Sequence, residues 1–213
     1  MLPATNAWAF ALAAFALIAI PGPSVLFVIG RSLALGRKGG FLSVLGNALG
    51  MVPAIALVAL GVGAIVAESM LVFTIIKFVG VVYLVYLGVQ AIRHRNHHVD
   101  AATSATRARP SSFQLLREGF FVGVTNPKTV VFFVAILPQF VSYQAGAIPM
   151  QIALLGIIFF AIALASDSVW ALTAGTARAW FARDPKRLSR MGASGGVMMI
   201  GLGGALALTG NKS

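Results

Sequence analysis

AIPGPSVLFVI, Ala19 to Ile29, and TNPKTVVFF, Thr125 to Phe133, are the two stretches that decide how this chain is read. In each, a proline-containing break stands inside an otherwise apolar run: Pro21-Gly22-Pro23-Ser24 in the first, Asn126-Pro127-Lys128-Thr129 in the second. Proline lacks the amide proton a helix needs and its ring collides with the preceding turn, so in water either break would end a helix. Inside lipid, backbone freed in this way must be satisfied by protein or must line a cavity. Hydrophobic segments interrupted at corresponding places in two halves of a chain point to a transporter binding site.

Composition supports the lipid setting. The 213 residues are 59% hydrophobic and 10% charged, with a mean hydropathy of +0.92, whereas a soluble domain has about 25% charged residues. A hydrocarbon core of about 30 Å takes about 20 apolar residues per helix, so this length holds about six spans with short loops and no separate soluble domain. The net charge of +11 is not a nucleic-acid signature, because the basic residues flank hydrophobic segments and form no interleaved basic-aromatic surface. Cysteine is absent, which excludes disulfides, thiolate metal sites and thiol nucleophiles. Met1 to Asn6 carry no Lys or Arg, so the apolar run after them lacks the basic region of a signal peptide and reads as a retained span.

The expected spans run from about Ala7 to Gly30, Phe41 to Val66, Leu71 to Ile92, Glu118 to Val141, Gln151 to Ala177 and Met191 to Leu208. Residues 1–92 make a first three-helix unit, 93–117 a basic linker and 118–213 a second three-helix unit. Of the 16 Lys and Arg, all but Lys77, Lys128 and Lys212 fall after the first, third and fifth spans. By the positive-inside rule these basic segments are cytoplasmic and both termini lie outside the cytoplasm. The first span then enters from outside and the fourth from inside, so the halves are inverted. The expected fold is an all-α membrane protein of six transmembrane helices in two inverted three-helix repeats. Gly22-Pro23 and Asn126-Pro127 share one grammar, a capping residue and then proline at the first helical position, so each break starts a half-helix near mid-bilayer. The positive end of each half-helix then points into the interior. Gly46 and Gly50, and Gly192 and Gly196, have the small-xxx-small spacing that lets helices approach closely, and these faces offer a route to a homodimer.

Lys128 lies about 10 residues into the fourth span, roughly 15 Å deep at 1.5 Å per residue. A charge at that depth is costly unless paired or hydrated. Two readings are open: Lys128 holds an anionic group such as a carboxylate, with help from the amides after Pro23 and Pro127, or it forms a structural ion pair. Asp167 is the acid inside a span, slightly to the cytoplasmic side of the middle of the fifth. It pairs with Lys128, holds a substrate ammonium, or takes up and releases a proton. Asn47 either bonds across helices or lines the pathway, and Lys77 either snorkels to the interface beside Glu68 or serves an exit path. His94, His97 and His98 have a spacing that suits a metal, but neighbouring arginines repel divalent cations, so a solvated loop or headgroup contact is the expectation and no metal or cofactor is assigned. No Gly-rich strand-to-helix loop, P-loop, Ser/His/Asp set or paired carboxylates stand within a span, so an enzyme is not expected.

Taken in order, the motifs resemble the LysE/RhtB family of amino-acid exporters, nearest its homoserine/threonine branch. The resemblance rests on Pro21-Gly22-Pro23, Arg31, the Gly36 to Gly40 turn, the Tyr83 to Gly88 stretch, Asn126-Pro127-Lys128 leading to Leu137-Pro138-Gln139-Phe140, and Asp167. Where members with this pattern more often carry Asp or Asn after the second proline, this chain has Ser24 and so fewer charges at the site. The resemblance implies a six-helix carrier of the bacterial inner membrane that exports amino acids by proton antiport, with membrane lipid around it and no nucleic-acid partner. The residues agree with a zwitterionic substrate: one buried cation, one buried acid and two half-helix N-termini give opposite partners to its two ends. The expected substrate-binding set is Pro21, Gly22, Pro23, Ser24, Asn126, Pro127, Lys128 and Thr129. Other classes weighed are a divalent-cation exporter, motivated by the histidines, and a non-transport scaffold whose helix breaks are filled with protein.

Overall fold

The computed structural model describes residues 2–62, 70–93, 110–177, 180, 184 and 186–208. Its described residues contain helices and no strand. Helix α1, Ala4–Ala19, stops where Ile20 turns extended (φ −67, ψ 118), as a residue that precedes proline is pushed to do. Gly22 is the extended cap of α2, Pro23–Leu57, whose first position is Pro23. Helix α3 covers Met70–Arg93. Helix α4, Ser112–Val124, and α5, Pro127–Val131, flank the second break, bent by 43°. A π-helical turn, Phe132–Ile136, and a 3-10 turn, Leu137–Phe140, carry α5 onward. Helix α6 is Ile148–Thr176 and α7 is Lys186–Leu208.

Helix α2 is two helices joined at one residue. Gly36 has φ 77, a conformation glycine reaches without the steric cost other residues meet. Ser32 and Gly40 touch across this joint, although residues eight apart would be about 12 Å apart along a straight helix. The chain therefore folds back sharply, and the expected loop after Gly30 is helical on both sides of a one-residue turn. Ser111 accepts a hydrogen bond from the Gln114 amide at 3.2 Å, and this Ser-x-x-Gln start opens α4 at Ser112, ahead of Glu118. His94, His97 and His98 lie outside the described residues, as do Glu68 and much of the basic linker.

Among the described residues, α2 and α6 are long and apolar enough to cross a membrane, and α4 with α5 makes a third, bent candidate. Exposed apolar side chains such as Leu12, Phe15, Leu57, Ile75, Val82 and Ile157 cover the outside. A surface of that kind suits lipid. Helix α2 packs chiefly on α4 and α6, α3 on α7, and α1 on α6. The core sits where α1, the π-helical turn and α6 meet: Phe133 and Phe159 have ring centroids 4.7 Å apart, Phe132 and Phe159 5.2 Å, and Phe10 and Phe132 5.6 Å.

The small-residue faces are engaged inside the chain. Gly46 and Gly50 lie against the backbone of Leu116, Phe120 and Gly123, while Gly119 and Gly123 lie against the carbonyls of Ser43 and Asn47. Gly196 likewise meets Gly88 between α7 and α3. The homodimer expected through the Gly46/Gly50 face and through Gly196 therefore loses those surfaces, because small residues that admit a neighbour have admitted one from the same chain. A β-carbon at Gly123 would run into the Asn47 carbonyl. Gly123→Ala is expected to lower stability by about 1–3 kcal/mol, read as unfolding in detergent, and an unchanged transition would mean that α2 and α4 do not touch there.

Candidate functional site

The two breaks meet inside the protein, although Pro23 is exposed and Pro127 is half-buried. Pro21, Gly22, Ser24, Asn126, Lys128 and Thr129 are buried, and Asn126 Nδ2 donates to Ser24 Oγ at 3.1 Å. The second break is capped as its sequence predicts: Asn126 Oδ1 accepts from the Lys128 amide at 3.2 Å and Pro127 holds the first helical position. The first has no side-chain cap, since Gly22 offers none. Gly195 of α7 packs directly on the Pro21 carbonyl.

Lys128 Nζ donates to the Leu17 carbonyl at 3.0 Å and the Ile20 carbonyl at 2.9 Å. These belong to the end of α1, where the last carbonyls lack helical partners and the dipole is negative, so an ammonium is favoured there. Gly22 lies alongside the lysine stem: a β-carbon on it would stand 3.3 Å from Nζ and 3.5 Å from Cε, so the lysine would have to give by a few tenths of an ångström. Lys128 is thus the bond between the two broken spans. An ammonium has three donors, and two are engaged.

Asp167 is buried on α6, and its Oδ2 accepts from Asn47 Nδ2 at 3.0 Å. Each of Lys128 and Asp167 feels the other's field, yet no N–O approach within 4.0 Å joins them. The direct Lys128–Asp167 ion pair expected as one reading is therefore absent: α1 carbonyls take the ammonium and Asn47 takes the carboxylate. Asn47 is completely buried, and its Oδ1 has no hydrogen-bond partner among the described residues. Leaving such an acceptor unpaired costs about 1–3 kcal/mol.

Lys77 does not reach the surface. It is 3% exposed, with its ammonium 5.6 Å from the centre of the Phe78 ring. The groove beside it, lined by Thr74, Ile75, Phe78, Val79, Val82, Tyr83 and Tyr86, includes no residue of either break. Among the described residues no group of three or more His, Cys, Asp or Glu is placed to hold a metal ion.

Sequence reading missed one link. The Arg31 guanidinium pairs with Glu118, which also accepts from Gln114 Nε2 at 3.1 Å, and Arg31 lies 5.3 Å from the centre of the Phe27 ring. This ties the helix after the first break to the helix before the second. The available signal was Glu118 itself, an acid at the edge of a basic stretch. Both partners are about 30% exposed, so a double-mutant cycle with Arg31→Gln and Glu118→Gln is expected to give a coupling of about 0.2–1 kcal/mol in stability. A null coupling would show that the pair does not hold the helices together.

A family model described as LysE type translocator matches residues 15–210. The chain belongs to the LysE-type translocator family. It is 35% identical over 200 residues to an uncharacterized membrane protein of Vibrio cholerae serotype O1, covering 93% of this chain and 95% of that one. It is 30% identical over 206 residues to an uncharacterized membrane protein of Pseudomonas aeruginosa, covering 95% of each. It is also 30% identical over 201 residues to a homoserine/homoserine lactone efflux protein of Salmonella typhimurium, covering 94% of this chain and 95% of the relative. No solved structure matches. The chain is thus a helical membrane protein of a transporter family.

Proposed function

We propose that the chain is a secondary exporter that moves amino acids or similar small zwitterions out across the bacterial inner membrane in exchange for protons. The observation that carries this reading is the meeting of the two breaks, Ser24 against Asn126, with Lys128 reaching from one break to the helix end left by the other. A site whose walls come from both halves opens when the halves rock apart. In this reading the two three-helix halves are inverted repeats, and the packing of α1 on α6 and of α4 on α2 supports their correspondence.

In this reading the substrate sits among Pro21, Gly22, Pro23, Ser24, Asn126, Pro127, Lys128 and Thr129. The third Lys128 donor faces the substrate, and Asp167 is the carboxylate that exchanges a proton. Both termini lie outside the cytoplasm. The Salmonella relative's description as a homoserine/homoserine lactone efflux protein supports a small amino-acid-like cargo. Cells loaded with radiolabelled L-homoserine or L-threonine are expected to release it faster when they express the chain. Release no faster than from control cells, for both compounds, would overturn the reading.

A further inference from the structure

We infer that Asn47 and Asp167 form the site for the substrate's primary ammonium group, and that this end of the molecule decides which compounds are carried. The inference rests on the exporter reading above and deepens it. Asn47 is 0% exposed and Asp167 3%. Asn47 Nδ2 donates to Asp167 Oδ2 at 3.0 Å, and the Oδ1 of the same amide has no hydrogen-bond partner among the described residues. Two acceptors, one of them anionic, call for a ligand that is cationic and carries more than one donor. A primary ammonium has three N–H donors and meets both demands. A substrate carboxylate would be repelled by Asp167 and would leave Oδ1 unserved.

The opposite end finds a weaker anchor. Lys128 is the buried cation at the breaks, and two of its donors already serve Leu17 and Ile20. Its charge is balanced by the negative end of α1. The acceptor pair, in contrast, is held in place, because Gly119 and Gly123 of α4 press on the backbone of α2 at Asn47. Compounds that keep a free primary amine but mask the carboxylate therefore remain ligands, and compounds that mask the amine do not.

The test uses the full chain in proteoliposomes exporting radiolabelled L-threonine, challenged with unlabelled L-threonine methyl ester or N-acetyl-L-threonine. The ester is expected to compete within about threefold of L-threonine and the N-acetyl compound at least about tenfold more weakly, the range set by one lost charge-assisted hydrogen bond. Equal competition by the N-acetyl compound, or failure of the ester, would overturn the inference. Replacing sodium by choline is expected to change nothing; a requirement for sodium would assign the acceptor pair to a metal cation and overturn it as well. Asn47→Ala is expected to weaken L-threonine and its ester by the same factor, and unequal weakening would contradict a shared ammonium site. Absence of export for both L-threonine and L-homoserine would instead remove the exporter reading itself.

Discussion

Lys128→Met is expected to abolish export and loosen the fold together. Methionine fills much of the space of the lysine stem but cannot donate, so the Leu17 and Ile20 carbonyls that now accept at 3.0 and 2.9 Å are left unpaired in a buried setting. Each orphaned acceptor costs about 1–3 kcal/mol, giving a stability loss of about 2–6 kcal/mol for the two, readable as unfolding in detergent. Export falls because the end of α1 is no longer tied to the second break. Lys128→Arg is not expected to rescue fully: the ammonium is buried between the Leu17 and Ile20 carbonyls, and a planar guanidinium needs more room. A Lys128→Met protein with unchanged stability and unchanged export would show that the ammonium does not hold the breaks together.

The second large effect is expected at Asp167, with the opposite division between fold and function. Asp167→Asn keeps shape and retains an oxygen for Asn47 Nδ2, now 3.0 Å away, while removing a buried charge. Stability is expected to stay within about 1 kcal/mol of the parent, since burying an amide is less costly than burying a carboxylate. Export is expected to fall by about tenfold to a hundredfold, the equivalent of one hydrogen bond to a charged group, and the remainder is expected to ignore an imposed pH gradient. Undiminished, gradient-driven export by Asp167→Asn would remove Asp167 from the mechanism.

What could be read in the sequence followed from how local its causes are. The two breaks were legible because each is a cap followed by proline, a signal contained in a few adjacent residues. The turn at Gly36 was visible as a cluster of glycines and basic residues, but nothing adjacent in sequence says which of those glycines takes the positive φ. That is why a loop was expected where one residue suffices. The partners of Lys128 were not legible, because backbone carbonyls at a helix end carry no side-chain signature. Asn47 and Asp167 were each singled out, but their pairing is tertiary and nothing near either residue announces it. Gly119 and Gly123 carry the same spacing as Gly46 and Gly50; read against each other, the two sets would have placed α4 on α2 and removed the dimer face from consideration.

The most direct measurement of the central claim is efflux from proteoliposomes holding the purified chain, preloaded with radiolabelled L-homoserine, with the outside acidified relative to the inside. Efflux is expected to accelerate with the imposed gradient, to carry protons inward as it does so, and to collapse in Lys128→Met and Asp167→Asn vesicles. Efflux equal to that from protein-free vesicles, or the same with and without the gradient, would contradict proton-coupled export at the paired breaks.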